Sequence, residues 1–362
     1  MRKLWKVRKE LKTWNKEVFG STQTRKDVLS ARIKQLDDIE GGPNWNDIFL
    51  AERKRAKDEY ANVLLIENRV ASQKLRVKWV KEGDANTKFF HRILGARKSK
   101  NVIDRIQLQG GEFTEESSRI KQEIVDYYRH LYTNEMDSTW EINGINWGAI
   151  MGEEASHMER SFSEDEVWAR YFFEMDKAPG PDGFTFAFIR RSWGVIKGDI
   201  MKFFEDFHSN GVISRNMNET FICLIPKGSH VGRIEDFRPI SLVTSMYKLL
   251  ANVLAHRLKV VLQHTIAMEQ TAFVPDRQMM DSVLIASEVV EYARKRGLQG
   301  FVLKLDFAKA YDRVDWTFLD YVLQRKGFGE RWRLWMKGCV SSAHYSVLIN
   351  GRHKALLKDK GV

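Results

Sequence analysis

The segment Phe301-Val-Leu-Lys-Leu-Asp-Phe307 constrains this chain more than any other. Alternation at a period of two sends Leu303, Leu305 and Phe307 to one face of a strand and Lys304 and Asp306 to the other. The spacing predicts a strand over residues 300–307. Asp306 is then a carboxylate at the end of an otherwise apolar strand. Such a group needs a cation, backbone donors or a metal, and at a strand end water also satisfies it. The segment alone does not choose between a solvated charge and a reactive centre.

The rest of the chain reads as helix-rich α+β. Residues 1–40 form a basic helix with Leu4, Val7, Leu11, Trp14 and Val18 on one stripe. Gly41-Gly42-Pro43 stops it, and Asn44 or Asn46 caps a second long helix running to about Val80. Together they suggest an antiparallel hairpin. Asn101 to Leu108 alternates like a strand and meets a turn at Gly110-Gly111, with a helix after it to Tyr132. Residues 133–160 read as a polar linker. Ser163 and Glu166 form a capping box, with Phe162 and Val167 as its hydrophobic staple. Two further helices end at Asn210-Gly211. Thr220 to Ile225 is a short strand, 241–263 and 278–295 are amphipathic helices, and Asp315 caps another. Residues 344–357 read as a hairpin turning at Asn350-Gly351.

Charge is distributed unevenly. Residues 1–110 carry 26 Lys and Arg against 14 Asp and Glu, while the remainder is nearly balanced at 33 against 34. A basic segment beside a near-neutral domain fits a polyanion partner, nucleic acid before membrane; a solvated helical surface fits it equally. No apolar run is long enough to span a bilayer, and the basic start lacks the apolar core of a secretory signal. Nuclear or cytoplasmic residence, without secretion, is the expectation. Cys223 and Cys339 have no metal-ligand spacing and read as free thiols.

Six segments, in order, carry a resemblance. They are WVKEGDANTKFFHRI (79–93), KAPGPDGF (177–184), FICLIPK (221–227), FRPISLVTSMYKLLANVLAHRL (237–258), EQTAFVPDRQMMDSVL (269–284) and LKLDFAKAYDRVDW (303–316). This succession resembles the reverse transcriptases (RNA-directed DNA polymerases) of LINE-type non-LTR retrotransposons, with a plant-like cast. The match covers roughly residues 75–362. It implies helix-rich fingers plus a partial palm of a right-hand polymerase over 161–362. A connector of strand and helix at 101–160 and the long basic helical hairpin of 1–100 precede them.

The resemblance also implies roles. Two-metal nucleotidyl transfer with Mg²⁺ is the family's chemistry, the ions about 3.5 to 4 Å apart. Asp306 matches the first catalytic carboxylate and metal ligand. The Phe307 carbonyl matches an added oxygen donor. Tyr311 matches a ring under the incoming sugar that excludes a ribose 2′-hydroxyl, against the alternative that it simply packs. Lys227 and Arg238 match fingers positions that hold the triphosphate, Arg238 through its forked guanidinium; solvated surface side chains are the plain alternative. The loop containing Lys177, Pro179, Gly180, Asp182 and Gly183 matches a template-contact loop, or is only a corner between helices. RNA template, DNA primer and dNTP are the implied partners.

The family's second catalytic carboxylate pair has no counterpart. After Asp306 the acids are Asp312, Asp315, Asp320, Glu330 and Asp359, none in that pattern, and the Gly-Asp-Pro block is also missing. One carboxylate does not hold two reluctantly dehydrating Mg²⁺ ions, so this chain is expected not to polymerise DNA by itself. Exposed strand edges and apolar surface are expected as well. A non-catalytic RNA- or DNA-binding remnant and a group II intron maturase-like protein are the alternatives.

Overall fold

The computed structural model describes residues 2–43, 45–75, 92, 95–96, 99–108, 110–132, 141–170, 177–228, 232–307, 309–351 and 353–357. The 79–91 part of the first family-like block lies outside them, as do residues 171–176 and the cap candidate Asn44. The described residues are helix-rich with two small sheets. The chain divides into two compact units: Met1–Ile103 with Asp176–Ala178 and Pro226–His230, and Asp104–Met175 with Pro179–Ile225 and Val231–Val362.

In the first unit the single helix expected over 1–40 is interrupted. Helix α1 (Arg2–Trp14) runs into a π turn (Asn15–Phe19), and Gly20 at φ 72° ends it. Ser21 then caps α2 (Thr22–Asp38) by accepting the Thr24 N–H at 3.4 Å. Hydrophobic period does not see such a break, because Gly20 acts through its left-handed backbone. Helix α3 (Asp47–Leu75) returns against α2, with Asn46 accepting the N–H groups of Ile48 and Phe49. The hairpin interface buries little, chiefly Leu36, Ala56 and Val63. Ion pairs run along it: Arg25–Glu59 at 2.7 Å, Lys26–Glu67 at 2.9 Å, Arg32–Glu52 at 2.7 Å, and Arg53 with Asp37 and Glu40. The stripe residues Val7, Leu11, Trp14 and Val18 remain exposed, and Leu4 is half-buried.

The second unit holds the main core. Strands β1 (Ile106–Gln107) and β2 (Phe113–Thr114) pair antiparallel about Gly111, a shorter ladder than the expected 101–108. Helix α4 (Ser117–Leu131) buries Ile120, Ile124, Val125 and Tyr128. Within the expected linker the chain forms α5 (Gly152–Met158), where Glu154 accepts the Met151 N–H at 2.9 Å. Helices α6 (Glu164–Ala169), α7 (Phe186–Arg191) and α8 (Trp193–Asn210) follow, and α8 ends at a left-handed Gly211 as expected. Strand β3 (Glu219–Pro226), strand β4 (Phe237–Val243), helix α9 (Ser245–Thr265), helix α10 (Met279–Lys295), helix α11 (Trp316–Arg325) and helix α12 (Glu330–Ser341) come next. The start of the expected 241–263 helix belongs to β4 instead. Strands β5 (His344–Ile349) and β6 (His353–Leu357) close the order.

The four-stranded sheet runs β4-β3-β5-β6. Strands β3 and β5 are parallel, with Ile222 opposite Val347, and β5 and β6 form the expected hairpin. Asn350 and Gly351 both have positive φ, the requirement of a type I′ turn. The core includes an aromatic cluster: Phe162, Phe204, Phe207, Trp332 and Trp335, with the Phe162 and Trp335 ring centres 5.2 Å apart. Helix α12 approaches the end of α8 so closely that a Cβ at Gly338 would lie 1.8 Å from the Gly211 carbonyl oxygen.

Arg257 on α9 fastens this core. Its guanidinium donates to both Glu166 carboxylate oxygens at 2.8 Å and to the carbonyls of Met158, Arg160 and Ser161 at 2.8, 2.6 and 3.0 Å. All five N–H donors are used. The charge also lies 4.1 Å from the centre of the Phe162 ring. Ser163 caps α6 as expected, accepting the Glu166 N–H at 3.2 Å, but the Glu166 side chain turns to Arg257 instead of completing the capping box.

Removing one partner of a buried pair strands the other. Arg257→Ala should therefore cost about 3–5 kcal/mol, and Arg257→Met with Glu166→Leu should recover much of it; urea midpoints measure both. A double variant no better than the single one would mean the pair is not what the core depends on. Burial alone would raise the Glu166 pKa, but the hydrogen bonds and charge of Arg257 outweigh it and hold it below its ordinary value. A depressed folded-state pKa gives stability that is present above the unfolded value and lost as pH falls through the folded one. Acid titration of the Glu166→Gln variant should show a shallower loss below about pH 4 than the parent, from the usual carboxylate value.

Candidate nucleic-acid and nucleotide site

Residues 301–307 do not form the expected strand. The segment lies outside any helix or strand, and its side chains face solvent, with Phe301 90% exposed. The physical reason is that alternation fixes faces but not partners. A strand exists only when neighbouring backbone takes its N–H and C=O groups. Strand β5, which could have offered an edge, is paired on both sides by β3 and β6. Helix α10, just before the segment, buries none of its residues. Met279, Met280, Val283, Leu284, Ile285 and Val289 add to the exposed apolar surface, as the exposure expectation held.

Asp306 is accordingly an exposed carboxylate. Among the described residues no group of three or more His, Cys, Asp or Glu is gathered to hold a metal ion. The donors of a two-metal centre are therefore not assembled around Asp306. Phe307 and Tyr311 are exposed beside it in sequence. Lys227 and Arg238 are exposed too, Lys227 just beyond the end of β3 and Arg238 second in β4. Among the described residues no hydrogen bond, ion pair or ring contact joins Asp306, Phe307 and Arg238.

The loop at 177–183 divides. Lys177, Pro179 and Gly183 are exposed, while Gly180 and Asp182 are buried. Gly180 lies against the end of β4, where a Cβ would come within 2.1 Å of the Val243 carbonyl oxygen. Gly183 at φ 79° closes the turn by donating to the Gly180 carbonyl at 3.0 Å. The Asp182 carboxylate accepts the Ser245 N–H at 2.7 Å and the Ser245 hydroxyl at 2.5 Å. It thus satisfies an orphan donor in the first turn of α9 and places negative charge at that helix's positive end. Thr244, the N-cap, accepts the Tyr247 N–H at 3.3 Å. The Asp182-Gly183 turn was legible in the sequence; the destination of the carboxylate was not, because its partner is 63 positions away.

Tyr311 has one described ring neighbour, Phe273, edge-on with centres 6.3 Å apart. The turn that carries Tyr311 begins at Lys309, whose ammonium lies 4.2 Å from the centre of the Tyr127 ring. Burial lowers the Lys309 pKa, partly offset by Asp312. Asp312, with no assigned role, accordingly faces Lys309 electrostatically. Asp315 caps α11 as expected, accepting the Phe318 N–H at 2.7 Å. Both cysteines are free thiols, and burial pushes Cys339 up to about 12.

A helix-rich α+β chain that carries an ordered set of polymerase-like blocks resembles the nucleic-acid polymerases. The comparisons specify it. Residues 225–361 match the family described as "Reverse transcriptase (RNA-dependent DNA polymerase)". Over 340 residues, 93% of the chain, it is 25% identical to the "Transposon TX1 uncharacterized 149 kDa protein" of Xenopus laevis. It is 24% identical over 194 residues to the "Retrovirus-related Pol polyprotein from type-1 retrotransposable element R2" of Popillia japonica. It is 26% identical over 202 residues to the type-2 R2DM polyprotein of Drosophila melanogaster. The matched regions make up 26%, 26% and 18% of those relatives, so the chain spans about a quarter of their length or less. The chain carries a reverse transcriptase-like domain of the non-LTR retrotransposon type.

The Asp182 contacts give a direct test. Asp182→Ala should lower stability by about 1–3 kcal/mol, the range for a charged group hydrogen-bonded to a buried backbone donor. Asp182→Asn, which keeps an acceptor, should lose less. Thermal melts of the two variants check the order, and equal melting temperatures for all three proteins would show that the carboxylate does not hold α9.

Proposed function

We propose that this chain is the fingers and part of the palm of a reverse transcriptase from a non-LTR retrotransposon, and that it holds an RNA template and DNA primer without completing synthesis alone. The observation that carries the reading is the order of the blocks from Lys177 to Trp316, the later ones falling inside the matched region 225–361. In this reading Arg238 grips phosphate oxygens through its fork and Lys227 adds a point charge. Both are exposed, as phosphate contacts require. The exposed part of the 177–183 loop, Lys177, Pro179 and Gly183, faces the template, while Gly180 and Asp182 fix the loop to β4 and α9. Tyr311 discriminates sugars by exclusion.

Polymerases of this family generally use divalent metals. The described residues do not fit such ions as a set, because Asp306 stands without a second carboxylate. Among the described residues, Asp306 and the Phe307 carbonyl are the donors this reading places at the metal site.

A second reading, non-catalytic nucleic-acid binding, is favoured by one further feature. Helix α1 carries six Lys and Arg against one Glu and leaves Trp5 and Trp14 exposed. Cationic side chains interleaved with exposed indoles suit phosphates and unpaired bases. This reading differs from the first only in whether chemistry follows binding.

Primer extension on an RNA template with Mg²⁺ and dNTP separates the two. Neither the parent chain nor Asp306→Ala should extend the primer, while both bind RNA with an affinity that falls steeply with salt. Extension by the parent, lost in Asp306→Ala, would show that the carboxylates are supplied in another way. Failure of both proteins to bind RNA would sink the polymerase reading itself.

A further inference from the structure

Four described non-glycine residues have positive φ: Phe273 at 64°, Asp276 at 60°, Lys309 at 54° and Asn350 at 53°. Asn350 belongs to a type I′ hairpin turn, where that conformation is ordinary. Of the other three, Phe273 is one ring of the Phe273–Tyr311 pair, Asp276 lies three residues after it and Lys309 two before Tyr311. A bulky side chain in the left-handed region is unfavourable and persists only where the surrounding structure over-determines it.

The loop that carries Phe273 is fastened in that way. Arg277 donates to four backbone carbonyls, Ala267, Gln270, Gln263 and Ile266, at 2.5, 2.8, 3.2 and 2.9 Å. Asp276 accepts from Gln263 at 3.0 Å, and Thr271 bonds Ser282 at 2.9 Å. Val274 is buried and anchors the loop. Tyr311 stands on a turn pinned where Lys309 meets Tyr127. Two well-held supports therefore present two rings to solvent, Phe273 87% and Tyr311 76% exposed.

The Phe273 ring itself returns little to folding. Phe273 pays a backbone penalty and leaves its ring in water, although burial is the usual reward for an aromatic side chain. We propose that the exposed Phe273 ring, with Tyr311 edge-on beside it, is an aromatic platform that takes a nucleobase, and that Phe273 is a further binding residue of this domain. The ligand follows from the chemistry. Every base has a π face, stacking on exposed aromatic rings tolerates any sequence, and the chain carries a reverse transcriptase-like domain. The base belongs either to a free nucleotide or to an unpaired strand. The proposal rests on the polymerase reading for its choice of a base over other planar ligands.

The test uses the full chain with two photo-reactive probes, a single-stranded RNA bearing one 5-iodouracil and free 5-iodo-dUTP. Irradiation should give an adduct at Phe273 or Tyr311, mapped by mass spectrometry. An adduct with the oligonucleotide alone assigns the platform to a strand, and one with the free nucleotide assigns it to the substrate. Phe273→Trp should keep the adduct. Phe273→Gly should reduce adduct yield and affinity about five-fold or more, yet leave the melting temperature unchanged or higher, since glycine suits the backbone at φ 64°. RNA bound in anisotropy but cross-linked only elsewhere would overturn the platform and leave the polymerase reading intact. A lower melting temperature with unchanged yield in Phe273→Gly would also overturn it, showing a structural ring. Absence of binding to either probe would overturn both.

Discussion

The core of the larger unit depends on a buried cation. Arg257, its side chain 3% exposed, sits where α9 crosses the connector between α5 and α6. Three carbonyls at the end of α5 and beyond it have no helical partners, and burial would make each expensive. One guanidinium answers all three and also neutralises Glu166. Placing the charge against Phe162 then locks the ring that begins the aromatic cluster. Desolvating such a charge is costly, so its contribution is not that of an attractive pair alone. It holds the register between α9 and α6, because a slip by one residue would leave five donors and five acceptor oxygens unpaired.

Lys326 repeats the device at the far end of α9. Its ammonium donates to the Trp147 carbonyl at 2.7 Å and to the Thr265 carbonyl. It closes the C-terminus of α9, where unpaired carbonyls favour a cation. Asp182 answers the opposite end of the same helix. A helix whose termini and midpoint are each held by a charged side chain from elsewhere in the chain is a fixed axis. The loop from Ala267 to Gln278 leaves from the end of that axis, held by Arg277, and so inherits its rigidity.

Local features were legible in the sequence where the physics is local. Ser163, Asn46 and Asp315 cap helices because short polar side chains reach N–H groups two or three residues on. Asn350-Gly351 turns because both positions demand positive φ. The family blocks were legible because they occur in order. What the sequence concealed is pairing across distance. The partner of Arg257 lies 91 residues away, and that of Asp182 lies 63 away. Residues 301–307 failed in the opposite sense: a strong local pattern for a strand met no neighbouring backbone to pair with. The break at Gly20 escaped notice because apolar spacing continues through it, whereas the backbone does not.

The two kinds of surface in this chain differ in what maintains them. Helix α10 and residues 301–307 expose apolar side chains on backbone that is free of strain, apart from Lys309 two residues beyond. Their exposure needs no explanation beyond a missing partner, since an amphipathic helix and an alternating segment keep their faces whatever covers them. Phe273 differs, because its exposed ring stands on a backbone conformation that bulky residues disfavour, in a loop that Arg277 and Asp276 fasten. Covering an apolar face gains the ordinary hydrophobic return, and any well-shaped partner supplies it. A ring fixed in a left-handed conformation accepts only a ligand that arrives at its own plane and angle. Selectivity in this domain therefore belongs to the constrained ring pair rather than to the larger apolar surface beside it.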